Sequence, residues 1–244
     1  LDTANYPFGG SRNSASASVT WRGPVSTDLK WETTAQYNAG IDFGFIDNKI
    51  SFNIDYYHKK TRDLLQEVKI PESTGFTNML TNSGNVTNEG LELSLNCTPI
   101  NNKNLHWDIN ANIAFNKNTI GGLNGDQYAN TLWYGADDVF IQRNGCPIGA
   151  IFGYVEDGFY DNEAEVRADP VYKMADAATV KQKIGEIKYR DLNHDGKITD
   201  SDRTIIGDTN PDFTYGITNN ISWKDLSLTF MFQGSKGNDI FNGN

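Results

Sequence analysis

The sequence predicts an all-β protein, a segment of an antiparallel transmembrane β-barrel, on three observations. Apolar residues recur at every second position through six runs. Three of these runs (34–45, 105–115 and 213–223) are 11 or 12 residues long, close to the ~9–11 residues a tilted strand needs to cross a bilayer. The connections between runs alternate between tight turns and long stretches, as in barrels with short turns on one membrane face and long loops on the other. Finally, 38% of the 244 residues are hydrophobic. No apolar window of about 18 residues exists, which excludes a transmembrane helix. A barrel strand escapes that exclusion, because its second face meets water.

The first stripe is Tyr37, Ala39, Ile41, Phe43 and Phe45, alternating with Gln36, Asn38, Gly40, Asp42 and Gly44. Beyond Asp47-Asn48-Lys49, the second is Ile50, Phe52, Ile54 and Tyr56. After a long connection (about 59–87) comes the third, Leu91, Leu93, Leu95 and Cys97. Across the turn at 100–104, the fourth runs Leu105, Trp107, Ile109, Ala111, Ile113 and Phe115. The second long connection, 116–212, leads to Phe213, Tyr215, Ile217, Ile221 and Trp223, a stripe broken by Asn219. Past Lys224-Asp225, the sixth is Leu226, Leu228, Phe230 and Phe232, with Met231 on the polar face. Six strands in three hairpins result. Phe45, Trp107 and Trp223 lie beside the short turns, where an aromatic girdle would sit. Asp42, Asp55, Glu92 and Asp108 would face the lumen. Strands of a soluble β-sandwich also alternate, so a secreted, calcium-stabilised sandwich that binds a ligand is the alternative reading. Sandwich strands are shorter, about 5–6 residues.

Composition narrows the function classes. With 21 Lys+Arg against 31 Asp+Glu the formal charge is −10, which disfavours nucleic acid or an anionic membrane surface as a general partner. Two Cys and three His, without a C-x-x-C, exclude a zinc finger and a disulfide-stapled scaffold. No bridge is expected between Cys97, on an apolar stripe, and Cys146, in the long loop. His58, His106 and His194 sit in unrelated places, and no catalytic pair or phosphate-cradling glycine loop stands out, so an enzyme is not expected. The sequence starts at Leu1 and stops at Asn244, after a strand-like run, and reads as a piece of something longer.

Two features of segment 116–212 invite chemistry. Asp191, Asn193, Asp195, Gly196, Ile198 and Asp202 match positions 1, 3, 5, 6, 8 and 12 of a calcium-loop template, and the Lys197 carbonyl would be the backbone ligand. Position 12 is Asp rather than Glu, and the entering 186–190 alternates like a strand, so this is no helix-flanked EF-hand. Structural Ca²⁺ is one reading, and an Asx-rich turn that satisfies its own amides is the other. The same segment carries Tyr128, Trp133, Tyr134, Phe140, Phe152, Tyr154, Phe159 and Tyr160. Of these, Trp133, Tyr134, Phe140, Tyr154 and Tyr160 are the candidates for partner or substrate contact, against ordinary packing of a loop with its own core. Asn162 and Glu165 fit a capping pair for a short helix over 163–168.

A set of ordered motifs carries a family resemblance. Leu29-Lys30-Trp31-Glu32-Thr33-Thr34 leads into Asn38-Ala39-Gly40-Ile41-Asp42-Phe43-Gly44-Phe45. The next are Ile54-Asp55-Tyr56-Tyr57-His58-Lys59-Lys60-Thr61-Arg62-Asp63-Leu64-Leu65 and Asn82-Ser83-Gly84-Asn85-Val86-Thr87-Asn88-Glu89-Gly90-Leu91-Glu92. Gly145-Cys146-Pro147-Ile148-Gly149 with Phe152-Gly153-Tyr154 and Asp157-Gly158, the run 191–198, Gly207-Asp208-Thr209-Asn210-Pro211-Asp212-Phe213-Thr214-Tyr215-Gly216, and Phe232-Gln233-Gly234-Ser235 with Gly237-Asn238-Asp239-Ile240-Phe241-Asn242 complete them. In this order they resemble the SusC/RagA family of TonB-linked outer-membrane transporters. The resemblance implies a 22-stranded barrel with a plugged lumen, placed in the outer membrane and in contact with its lipid. It also implies a SusD-like surface lipoprotein over the mouth and TonB-driven import of oligosaccharides or peptides. Residues 1–244 would then be part of the C-terminal half of such a barrel, with 116–212 as a long extracellular loop holding the 191–202 turn. The plug, the TonB-contacting segment and enough strands to close the barrel would lie elsewhere.

Overall fold

The structure is a computed structural model that describes residues 2–7, 15–20, 24–76, 78–129 and 139–242. A short antiparallel hairpin opens the chain, β1 (Asp2–Pro7) and β2 (Ala15–Thr20). The first long hairpin is β3 (Thr33–Phe45) with β4 (Ile50–Arg62). A two-stranded ribbon, β5 (Leu65–Lys69) and β6 (Asn78–Asn82), separates it from the second, β7 (Asn85–Asn101) with β8 (Leu105–Gly121). Next come β9 (Gln127–Ala129), β10 (Phe140–Gln142), β11 (Ala150–Tyr154) and β12 (Glu156–Phe159). They are followed by helices α1 (Glu163–Ala168) and α2 (Ala177–Lys183), then β13 (Ile187–Tyr189) and β14 (Arg203–Asp208). The third long hairpin is β15 (Phe213–Trp223) with β16 (Leu226–Lys236).

The three long hairpins form one antiparallel sheet of order β16-β15-β8-β7-β4-β3. Its register brings all six apolar stripes into phase. One row across the sheet reads Phe43, Phe52, Leu95, Ala111, Ile217 and Phe232, and the next reads Ile41, Ile54, Leu93, Ile113, Tyr215 and Gly234. The opposite face reads Asp42, Asn53, Ser94, Asn112, Gly216 and Gln233. A slip of one residue in any pairing would put that strand's polar side chains on the apolar face. The break in the fifth stripe is bridged within the sheet, since the Trp107 indole N–H donates to Asn219 Oδ1 at 3.2 Å.

The short turns are tight and tied together. Ile46, Asp47 and Asn48 all adopt left-handed backbone (φ 55, 52 and 60°), closed by Lys49 N–H to the Ile46 carbonyl at 3.1 Å. Lys224 N–H reaches the Asn104 carbonyl of the neighbouring turn at 2.9 Å, and Thr98 N–H reaches Lys49 at 2.7 Å, beside the bulge between Cys97 and Ile100.

Among the described residues nothing covers the apolar face. Ile41 remains 58% exposed and Phe232 64%, whereas a sandwich would bury such rows against a second sheet. The sandwich alternative is overturned on this ground. The buried hydrophobic side chains of the described residues lie instead at the long-loop end, most of them in three small clusters. β8 runs on through Gly121, so its pairing with β7 extends past the Phe115 at which its apolar stripe ends.

Candidate functional site

The polar face of the sheet is built from short side chains that satisfy one another. Tyr57 lies across Gly90 of the neighbouring strand, where a Cβ would collide with its ring, and its hydroxyl donates to Asn116 on the strand beyond at 2.9 Å. Asn53 donates to Asp42, and Thr98 to Asp108 at 2.7 Å. Asp55 stands directly opposite Glu92. Along this face Asp42, Asp55, Glu92 and Asp108 outnumber Lys59, so the wall is rich in Asn, Ser and Thr and acidic in sum.

Two of the three clusters at the long-loop end are built within the loop segment. In the sheet of order β14-β11-β10-β9, Ile141, Ala150 and Phe152 are buried with Ile205 against them. The guanidinium of Arg203 stacks 4.6 Å from the Phe152 ring centroid and that of Arg143 at 5.8 Å. Arg143 Nε and Nη2 both donate to Asp126, at 2.9 and 2.6 Å, and hold its carboxyl below the usual carboxylate range. The second core is Tyr160, Val166 and Val180 with Tyr172 and Ala175 packed on it. There α1 starts at Asn162, whose side chain accepts from Glu165 N–H at 3.0 Å, while Glu165 reaches back to Asp161 N–H at 2.9 Å.

The contact candidates separate in this frame. Tyr160 is 2% exposed and its hydroxyl donates to Asp169 at 2.6 Å. Burial, then the Asp169 carboxylate, pushes that phenol far above its usual range, and the residue belongs to the loop's own core. Tyr154 is half-buried, 5.3 Å from the Tyr189 ring, with its hydroxyl 3.3 Å from Asp200. Phe140 is half-buried and meets Phe241 edge-on at 6.4 Å. Trp133 and Tyr134 lie outside the described residues. Phe159 is exposed at the end of the β12–β13 ribbon. A cleft of about 750 Å³ opens between the β5–β6 ribbon and β9, with Gln66, Val68, Met79, Thr81, Gln127 and Tyr128 in its lining. Gln66 Oε1 is buried there without a hydrogen-bond partner. Sequence reasoning passed over this cleft, although Leu65-Gln66-Glu67-Val68-Lys69 does alternate.

The calcium candidates form a self-satisfied turn. Asp191 accepts from Gly196 N–H at 2.8 Å, Asn193 from Asp195 N–H at 2.9 Å and Asp195 from Lys197 N–H at 2.8 Å. Asp202 is buried, and both its oxygens are taken, by Leu192 N–H at 3.0 Å and Thr199 N–H at 2.8 Å. The amide of Thr199, helped by those of Asn193 and Leu192, holds that carboxyl below the usual range. Among the described residues no three His, Cys, Asp or Glu are grouped as a metal site. The donor set as arranged fits an Asx-rich turn better than a cation.

A two-faced wall without a core in its spanning part, with packed loops at one end, matches known proteins. The family described as TonB dependent receptor-like, beta-barrel, matches residues 2–144. The chain belongs to the TonB-dependent receptor β-barrel family. The TonB-dependent receptor SusC of Bacteroides thetaiotaomicron is 33% identical over 246 residues, covering 98% of this chain and 22% of SusC. A TonB-dependent receptor of Formosa agariphila is 31% identical over 224 residues, covering 90% of this chain and 22% of its own length. The SusC/RagA resemblance is therefore borne out, and the chain spans about a fifth of the curated receptors it matches. The RagAB peptide importer in its open-open state shares the fold at a TM-score of 0.69 with 23% identity, over 97% of this chain and 23% of that one. The RagAB peptide transporter matches at 0.67 with 24% identity, over 95% and 24%. Receptors of this family are outer-membrane β-barrels and transporters, not enzymes. The six-stranded sheet of this receptor segment does not close, as befits part of such a barrel.

Proposed function

We propose that this polypeptide forms part of the barrel wall of a TonB-driven outer-membrane importer that takes up oligosaccharides or peptides beneath a SusD-like surface lipoprotein. The observation that carries the reading is the phase of the two faces, apolar toward lipid and amide- and hydroxyl-lined toward a conduit, in a chain 33% identical to SusC. The long loops would be extracellular. The cleft beside Gln66 and Tyr128 would meet solute first, with the exposed Tyr128 ring on its wall. The acidic sum of the lumen wall favours neutral or cationic solutes over polyanions. The 191–202 turn, with its carboxylates on local amides, would order the loop and take no part in uptake.

Uptake of fluorescent maltooligosaccharides and of labelled oligopeptides by cells carrying or lacking the full-length receptor tests this. Accumulation of one class that needs both the receptor and an energised inner membrane is expected. Accumulation of neither class, or uptake indifferent to a protonophore, refutes it.

A further inference from the structure

The outer face of the sheet ends in cations. On β4 the apolar stripe stops at Tyr56, and the next residues on that face are His58, Lys60 and Arg62. On β8 it stops at Phe115 and Lys117 follows, while on β16 Phe232 and Gly234 are followed by Lys236. Register ties these ends together: Tyr56, Leu91 and Phe115 share a row, His58, Glu89 and Lys117 the next, and Phe213 pairs with Lys236. The chain as a whole carries −10, yet this margin gathers Lys60, Arg62, Lys117 and Lys236. Its one acidic side chain within those rows, Glu89, is engaged by His58 Nδ1 at 3.0 Å, and Asp208 and Asp212 flank the Lys117 side. Among the described residues none of the four cations forms an ion pair. Arg62, Lys117 and Lys236 are exposed, and Lys60 is half-buried.

We propose that this margin binds the phosphate groups of lipids in the outer leaflet, with Lys60 and Arg62 on β4 as its principal pair and Lys117 on β8 and Lys236 on β16 extending it two and four strands to one side. Lys60 and Arg62 are ~7 Å apart along one strand, and Lys117 lies two strands away, ~10 Å across, a spread that suits a phosphorylated sugar headgroup. The rows just below are apolar, so a lipid whose phosphate sits on the cations lays its acyl chains along Tyr56, Leu91 and Phe115. The long loops mark this as the outward end, so the lipid is one of the outer leaflet. Lys59, next in sequence to Lys60, faces the lumen and takes no part.

The test is lipid retention by the full-length receptor in dodecyl maltoside, read by native mass spectrometry. The probes are monophosphoryl lipid A and its phosphate-free counterpart. The phosphorylated form is expected to bind more tightly. Lys60→Gln with Arg62→Gln should weaken it about 25-fold, at about fivefold per cation near a membrane surface, and Lys59→Gln should leave it unchanged. Equal binding of the two lipids by the unaltered receptor overturns the proposal without recourse to variants. So does retention of tight binding by the double variant, or displacement of the lipid by millimolar inorganic phosphate, which would indicate a free-anion site.

Discussion

Placing Arg at Ile109 should cost the folded receptor about 2–4 kcal/mol, whereas Arg at the adjacent Asn110 should cost under ~0.5 kcal/mol. The two residues sit at the same depth and differ in face. Along β8 the apolar stripe from Leu105 to Phe115 covers ten steps. At ~3.4 Å per residue and a tilt of ~40° it rises ~26 Å, close to the ~25 Å apolar band of outer-membrane barrels. Ile109 is four steps from the turn end, which puts it within ~3 Å of the bilayer midplane, where an exposed guanidinium is costliest. Its row neighbours Cys97 and Asn219 supply no carboxylate. Asn110, between Asn96 and Thr218 on the polar face, keeps its replacement in water. Equilibrium folding of the full-length receptor into phosphatidylcholine vesicles, titrated with guanidinium, reads both midpoints at unchanged slope. Equal losses at the two positions, or a larger loss at Asn110, would refute the assignment of faces.

Gly90→Ala should destabilise by about 1–3 kcal/mol through collision with the Tyr57 ring, and most of that loss should vanish in a Tyr57→Ala background, read by the same titration. Tyr160→Phe strips the buried Asp169 carboxylate of its 2.6 Å donor and should cost about 1.5–3 kcal/mol, seen as earlier hydrogen exchange in α1 and α2. The depressed Asp202 carboxyl stabilises the 191–202 turn above the ordinary carboxylate value of 3.8 and loses that contribution as pH falls through its lower folded value. Asp202→Asn should therefore flatten the acid limb of proteolytic nicking in this turn, and an unchanged limb would point to another group. Because Asp191, Asn193 and Asp195 already satisfy local amides, chelator should leave melting unaltered. A calcium-dependent rise abolished by Asp195→Ala would establish the cation instead.

The spanning strands were legible because their physics is local. A strand in lipid needs alternate apolar side chains, whatever the rest of the molecule does, so Leu91 to Cys97 or Leu226 to Phe232 could be read alone. Their upper ends were not legible, because the buried side changes there. In β7 and β8 the outward residues beyond Leu91 and Phe115 turn polar or charged, while Val86 and Ile120, on the inward parity, are buried with Leu123. The loops fold over the lumen side, so the hydrophobic phase flips and a search for one stripe stops short. Helix α1 was visible through its Asn162 cap. Helix α2, capped by Asp176 on Ala178 and Thr179 N–H, buries Val180 alone of its residues and shows no periodic face. Tyr160 and Phe159 are neighbours of one residue type class, yet one is core and the other solvent. Their fates depend on contacts with α1 and β13, which no local pattern encodes.

The two faces also constrain what surrounds the sheet. β3 and β16 are its edges, and each is long enough to present several backbone N–H and C=O groups outward. In hydrocarbon each unpaired group costs several kcal/mol, so a membrane-embedded sheet with two free edges would lose more than its apolar rows gain. The sheet is tenable in a bilayer when both edges are paired, which is what the receptors about four to five times longer than this chain supply. Loop packing obeys a different rule. The buried clusters around Ile141 and Val166 are closed within the loop segment itself and need no lipid, so a perturbation there should loosen the mouth while leaving the spanning rows in register. The wall is therefore divided by depth, with coreless apolar rows through its middle and loop clusters that bury their own side chains at the long-loop end.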